Sequence, residues 1–109
     1  MLPDSGNLYD NLPAAQEGEE FQTLFRCQGT RVERIVSHHH ASPPDFWYEQ
    51  VGDEWVAVLQ GEATLEFADA RRLEMRAGDW VTIPAGVRHR VQRTGPATIW
   101  LAVHAGDAS

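Results

Sequence analysis

Hydrophobic positions in this chain recur at every second residue, in short runs broken by Gly, Pro and Asp. The run "EWVAVLQ" sets Glu54, Val56, Val58 and Gln60 on one face and Trp55, Ala57 and Leu59 on the other. Successive side chains of an extended strand point to opposite faces, so this strand is apolar on both sides of its middle and reads as central. The runs "FWYEQ", "ATLEF", "RLEM", "WVTIP", "RHRVQ" and "ATIWLAVH" lie close by, separated by "VGD", "ADAR", "RAGD", "AGV" and "RTGP". No segment among them keeps a helical period over about ten residues. Short strands at even spacing with Gly, Pro and Asp turns predict an all-β fold, an antiparallel sandwich or barrel.

Earlier in the chain, "EEFQTLFRC" and "RVERIVS" flank "QGT" and predict a hairpin. In its second arm the alternation does not choose a face. If Val32 and Val36 look inward, Arg34 does too, and a buried guanidinium wants a carboxylate partner, either Glu54 or an anionic substrate; otherwise Glu33 and Ile35 define the inner face. Arg34 is thus a candidate substrate-binding residue. "SHHHASPPDF" reads as a loop across its prolines, with His38, His39 and His40 solvated or one of them swinging over a nearby site. Residues 1–18 read as an irregular arm packing through Leu8, Tyr9 and Leu12, residues 19–109 as a single domain, and "AGDAS" as a frayed tail.

Composition narrows the function. A chain of 109 residues suits one domain with one core. A net charge of -7, with scattered arginines as its only strong bases, argues against a nucleic-acid partner. There is no lysine, which removes Schiff-base chemistry. Cys27 stands alone, so no intramolecular disulfide forms, and no apolar run reaches the ~18 residues of a membrane span. The expectation is a cytoplasmic protein with no membrane partner.

The stretch "GDWVTIPAGVRHRV" places Gly78, Pro84, Gly86 and His89 in a fixed spacing, and "EWVAVLQG" places Gly61 after Glu54. This pair of stretches resembles the two motifs of the cupin superfamily. The resemblance implies a double-stranded β-helix, a small jelly-roll barrel of antiparallel strands. Independently, the alternation in "VRHRVQ" turns His89 inward with Val87 and Val91, and Arg88 and Arg90 outward.

Metal-binding cupins carry two histidines one residue apart, a glutamate three or four residues on, and the histidine of the second motif. Here Glu54 and His89 match, whereas the slots of the histidine pair fall on Tyr48 and Gln50, or in the alternative register on Trp47 and Glu49. The resemblance implies a divalent metal (Fe, Mn, Zn or Ni) held by Glu54, His89 and Gln50, with Gln50 otherwise hydrogen-bonding substrate and Tyr48 as acid/base or orienting phenol. The same groups would equally form a metal-free ligand pocket, or a structural Glu54–His89 pair. Two functions follow: a small metal-dependent cupin acting on a polar or anionic small molecule by oxygenase, isomerase or lyase chemistry, or a non-catalytic module that binds or senses one. His104 is expected at the rim. Trp55 and Trp80, outward on their strands, are expected at a homodimer interface.

Overall fold

The computed structural model describes residues 3–14 and 18–106. Eight strands follow one another: β1 (Gly18–Cys27), β2 (Thr30–His38), β3 (Asp53–Gln60), β4 (Glu62–Phe67), β5 (Arg72–Arg76), β6 (Trp80–Ile83), β7 (His89–Thr94) and β8 (Thr98–Ala105). All pairings are antiparallel. One sheet has the order β1-β2-β8-β3-β6 and the other β5-β4-β7. Among the described residues no ladder joins the two sheets, so the jelly roll is an open sandwich rather than a closed barrel.

The period-two pattern sets the core. Val56 and Val58 of β3 meet Ala63 and Leu65 of β4, Met75 of β5, Ile83 of β6, Val91 of β7 and Trp100 of β8. Each Val, Leu, Ile or Met side chain so withdrawn from water contributes about 1.5–3 kcal/mol before conformational entropy is set against it. Gly61 closes the β3–β4 turn at φ 86°, and a Cβ there would lie 2.7 Å from the Ala97 carbonyl oxygen. Only glycine takes that backbone without a clash.

β8 lies between β2 and β3, and this placement builds the site. Arg31 of β2 pairs with His104 of β8, His104 pairs with Glu54 of β3, and Glu54 pairs with Ile83 of β6. One lateral row therefore gathers residues from the beginning, middle and end of the chain.

Three expectations are corrected. "FWYEQ" is not a strand: only Tyr48 bridges His89, by a pair of backbone hydrogen bonds of 2.7 and 3.0 Å. The chain ahead of His89 turns at Pro84 and Gly86, leaving no extended partner beyond that one rung. The N-terminal arm, described for residues 3–14, leaves Tyr9 half exposed, although its hydroxyl donates to the Leu59 carbonyl at 3.4 Å, and is fastened chiefly through backbone carbonyls on Arg34 rather than through apolar side chains alone. His104 is buried rather than at the rim. The tail beyond Gly106, and residues 15–17 of the arm, lie outside the described residues. No described helix is long and apolar enough to cross a membrane.

Candidate functional site

Between the sheets lies a cavity of about 260 Å³, with Glu54, His89, Tyr48, Gln50, Glu33 and His104 on its wall. Glu54 enters from the second position of β3, inward with Val56. His89 enters from the first position of β7, inward with Val91. Both are buried, at 8% and 5% exposure, and His89 Nε2 stands 3.4 Å from Glu54 Oε1. The Tyr48 ring stacks on the imidazole with centroids 5.6 Å apart and planes 26° apart, held there by the backbone bridge.

Hydrogen bonding fixes the tautomer of His89. Its Nδ1 lies 3.0 Å from the Val87 carbonyl, which only accepts, so Nδ1 carries the proton and Nε2 of the neutral ring presents a lone pair. That lone pair faces a carboxylate, and Glu54 Oε1, although buried, makes no hydrogen bond. One added proton turns two opposed acceptors into a charge-assisted pair. Burial pulls the His89 pKa down, but Glu54 and the Val87 carbonyl outweigh it, and the net direction is above the ordinary 6.5. The pair is built to take up and release a proton.

A second imidazole braces the other side of Glu54. His104 Nε2 lies 2.9 Å from Glu33 Oε1 and 3.9 Å from Glu54 Oε2. Glu33 in turn stands 3.6 Å from Arg31 Nε. Elsewhere on the wall, Glu19 accepts from the Ser37 hydroxyl at 3.0 Å and faces His40 Nε2 at 3.3 Å. Burial raises the Glu19 pKa despite the opposing pull of His40 and Ser37. Tyr48 is also raised, first by burial and then by the charges of Glu19 and Glu54, so its phenol stays protonated and serves as a hydrogen-bond donor.

The residues singled out in the sequence are sorted by this geometry. Tyr48, Gln50, Glu54 and His89 line one cavity. Trp47 lies outside it beneath Arg88 and Arg90, at 5.8 and 5.9 Å, and Glu49 pairs with Arg88 at 3.6 Å on the surface. Arg34 is on the opposite face of β2, because Glu33 and Ile35 take the inner positions. It donates to the carbonyls of Leu8, Asp10 and Asn11 and lies off this cavity, lining instead a separate pocket beneath the N-terminal arm. The histidine loop is not simply solvated: His38 Nδ1 donates to the Pro96 carbonyl at 2.8 Å, His40 faces Glu19, and only His39 is exposed, at φ 50°. Trp55 and Trp80 stack on the outer face at 6.1 Å, with Trp80 exposed.

Sequence reasoning missed Glu33, His104 and Glu19. A signal existed for His104, which alternates with Ala102 and Trp100, whereas for Glu33 the alternation in β2 fitted either face. For Glu19, in an edge strand of mixed pattern, there was none.

The implied metal fits this wall poorly. Among the described residues no three His, Cys, Asp or Glu side chains are placed to hold an ion. His89 Nε2 and Glu54 Oε1 offer two donors, while His104 is engaged by Glu33. Catalytic centres of the zinc type keep three protein ligands. Here the third would be the neutral Gln50 amide or a phenol that stays protonated.

The model of the cupin domain matches residues 32–104, more than half of the chain. The chain belongs to the cupin superfamily. A crystal structure from Ralstonia eutropha, of a protein described as a candidate mannose-6-phosphate isomerase, is 46% identical, covers 97% of this chain and 100% of its own, and superposes with a TM-score of 0.90. A Desulfitobacterium hafniense cupin superfamily protein is 18% identical, with 98% and 95% covered and a TM-score of 0.78. A Streptococcus pyogenes protein of unknown function is also 18% identical, with 100% and 92% covered and a TM-score of 0.79. At that identity the last two show the fold alone. No curated protein matches this chain in sequence.

Proposed function

We propose that this cupin takes a small polar molecule between its sheets and moves a proton on it between adjacent carbons, an isomerase chemistry carried by His89 and Glu54. One observation carries the reading: His89 Nε2 and the hydrogen-bond-lacking Glu54 Oε1 face each other at 3.4 Å on the wall of a cavity. His89 as base removes the proton from a hydroxyl-bearing carbon beside a carbonyl to give an enediolate, the hydroxyl proton passes to the former carbonyl oxygen, and the proton held by His89 returns to the former carbonyl carbon, so no oxidant or reductant is needed. Glu54 holds the imidazolium formed in the first step. The Tyr48 phenol donates to the oxygen on which charge develops. Isomerisation is also what the description of the Ralstonia protein supports for this chain. A cavity of about 260 Å³ is smaller than the ~300–1,000 Å³ of drug-sized sites and suits a single metabolite of sugar size or less.

The test is solvent exchange. In deuterium oxide the protein should wash deuterium into the carbon beside the carbonyl of at least one member of a panel of aldoses and ketoses, followed by proton NMR. Exchange with no member, while a ligand still perturbs the His89 resonances, rules out isomerisation and leaves the non-catalytic binding module.

A further inference from the structure

Among the described residues three carboxylates, Glu19, Glu33 and Glu54, line the cavity that also holds His89, and one guanidinium, that of Arg31, stands on the same wall. The Arg31 charge is set against Glu33 at 3.6 Å, and His104 donates to the same carboxylate. Among the described residues the cationic groups facing Glu54 and Glu19 are imidazoles, His89 at 3.4 Å and His104 at 3.9 Å for the first, His40 at 3.3 Å for the second. When those rings are neutral, the wall is negative. Glu54 is more than nine-tenths buried, and its Oε1 has no hydrogen bond. A buried carboxylate oxygen without a donor is an acceptor waiting for one. The rest of the wall includes the aromatic side chains of Tyr48 and Trp100 and the apolar ones of Ile35, Val56, Leu65 and Ile83.

We propose that the cavity selects a small molecule bearing an ammonium group, whose N–H donors meet Glu54 Oε1, and that it discriminates against anions such as phosphate esters. This deepens the proposed function and rests on the cavity being the ligand site. It also separates this chain's ligand from the phosphosugar in the description of its Ralstonia neighbour. A dianionic phosphate brought onto this wall meets carboxylates, and its one guanidinium is already set against Glu33. An ammonium supplies the missing donor and cancels charge at once.

The test uses three probes of three carbons each that differ in the charge of their head: n-propylammonium chloride, 1-propanol and sodium propionate, with inorganic phosphate as a fourth. Each is titrated into the protein at pH 8 and constant ionic strength, and the imidazole proton signals of His89 are followed by NMR. The expected result is half-saturation by n-propylammonium at a concentration at least tenfold below that for propionate, with phosphate without effect. Glu54→Gln should erase at least fivefold of that preference, and the comparison of probes on the unaltered protein stands even if the variant folds poorly. Equal binding of all heads, or tighter binding of propionate or phosphate, overturns the selection by charge while leaving the cavity as a ligand site. No perturbation of His89 by any probe overturns both.

Discussion

Two of the buried charges among the described residues, Arg34 and Glu54, are finished differently. Beneath the N-terminal arm, Arg34 donates through both terminal nitrogens to three carbonyls, those of Leu8, Asp10 and Asn11, at 3.1, 2.7 and 3.3 Å, and only its Nε lacks a hydrogen bond. Between the sheets, Glu54 faces His89 across 3.4 Å with an oxygen that has no donor. The first arrangement is nearly complete and fastens a segment. The second is incomplete in the protein alone and faces a cavity. A satisfied buried charge reports on structure, and an unsatisfied one beside a void reports on chemistry.

The largest effects should separate these regions by activity. His89→Gln and Glu54→Gln should each lower the deuterium exchange rate by two to four orders of magnitude, the usual range for a positioned acid or base, while leaving the melting temperature within a few degrees. Equal exchange by His89→Gln and the unaltered protein would place the chemistry elsewhere. Removing metal with a strong chelator should change the rate by less than about twofold, since among the described residues no three strong donors converge to hold an ion. A loss restored by one added ion would overturn that reading of the donor set.

Stability should answer in the opposite sense. Arg34→Met keeps the aliphatic stem but removes three charged hydrogen bonds. The carbonyls it abandons belong to an arm that can turn to water, so the cost is about 1.5–2 kcal/mol, roughly 5–10 °C in Tm for a domain of this size. Exchange should stay within about twofold. A catalytic loss at Arg34 without a loss of stability would undo the division between the two regions.

pH sharpens the comparison further. The His89 pKa is raised in the folded protein, so the folded state binds more protons than the unfolded state above 6.5. The stabilisation from this pair is therefore complete below pH 6.5 and is lost as the pH rises through the folded value. Exchange moves the other way, because the base form of His89 does the work, and its rate should rise with pH through that same value. NMR titration of His89 in Glu54→Gln should show the pKa lower than in the unaltered protein, since burial, which lowers it, then loses its main opponent. An unchanged pKa would mean that Glu54 is not the partner.

How far the sequence reaches follows from which faces are covered. Strand β3 could be read because Glu54 shares an alternation with Val56 and Val58, and β7 because His89 sits between Val87 and Val91 with arginines opposite. Strand β2 could not, since the arm covers its outer side and both Glu33 and Arg34 are buried; alternation then carries no sign of in or out. The row Arg31–His104–Glu54 depends on β8 lying between β2 and β3, a pairing across most of the chain length that no local pattern encodes. Tyr48 was legible as inward in one of two registers, and not as part of an isolated bridge, because turn geometry ahead of His89 limits the pairing.

The smallest effect lies elsewhere on the cavity wall, at Glu19, and it tests whether that carboxylate belongs with Arg34 or with Glu54. Its Oε2 accepts from Ser37 at 3.0 Å and its Oε1 faces His40 at 3.3 Å, a set that would ordinarily lower a carboxyl pKa. Burial outweighs both, and the pKa is raised above 4.5. With a folded value above the unfolded one, the contribution to stability is full below pH 4.5 and is lost as the pH rises through the folded value, so at neutral pH the ionised group is a net cost. Glu19→Gln keeps an acceptor for Ser37 and removes the charge. It should raise Tm at pH 7–8 by up to about 2 °C and leave Tm at pH 4 unchanged. A fall in Tm at pH 7 would show that the contacts with Ser37 and His40 dominate, grouping Glu19 with the completed charge of Arg34 rather than with the unfinished one of Glu54.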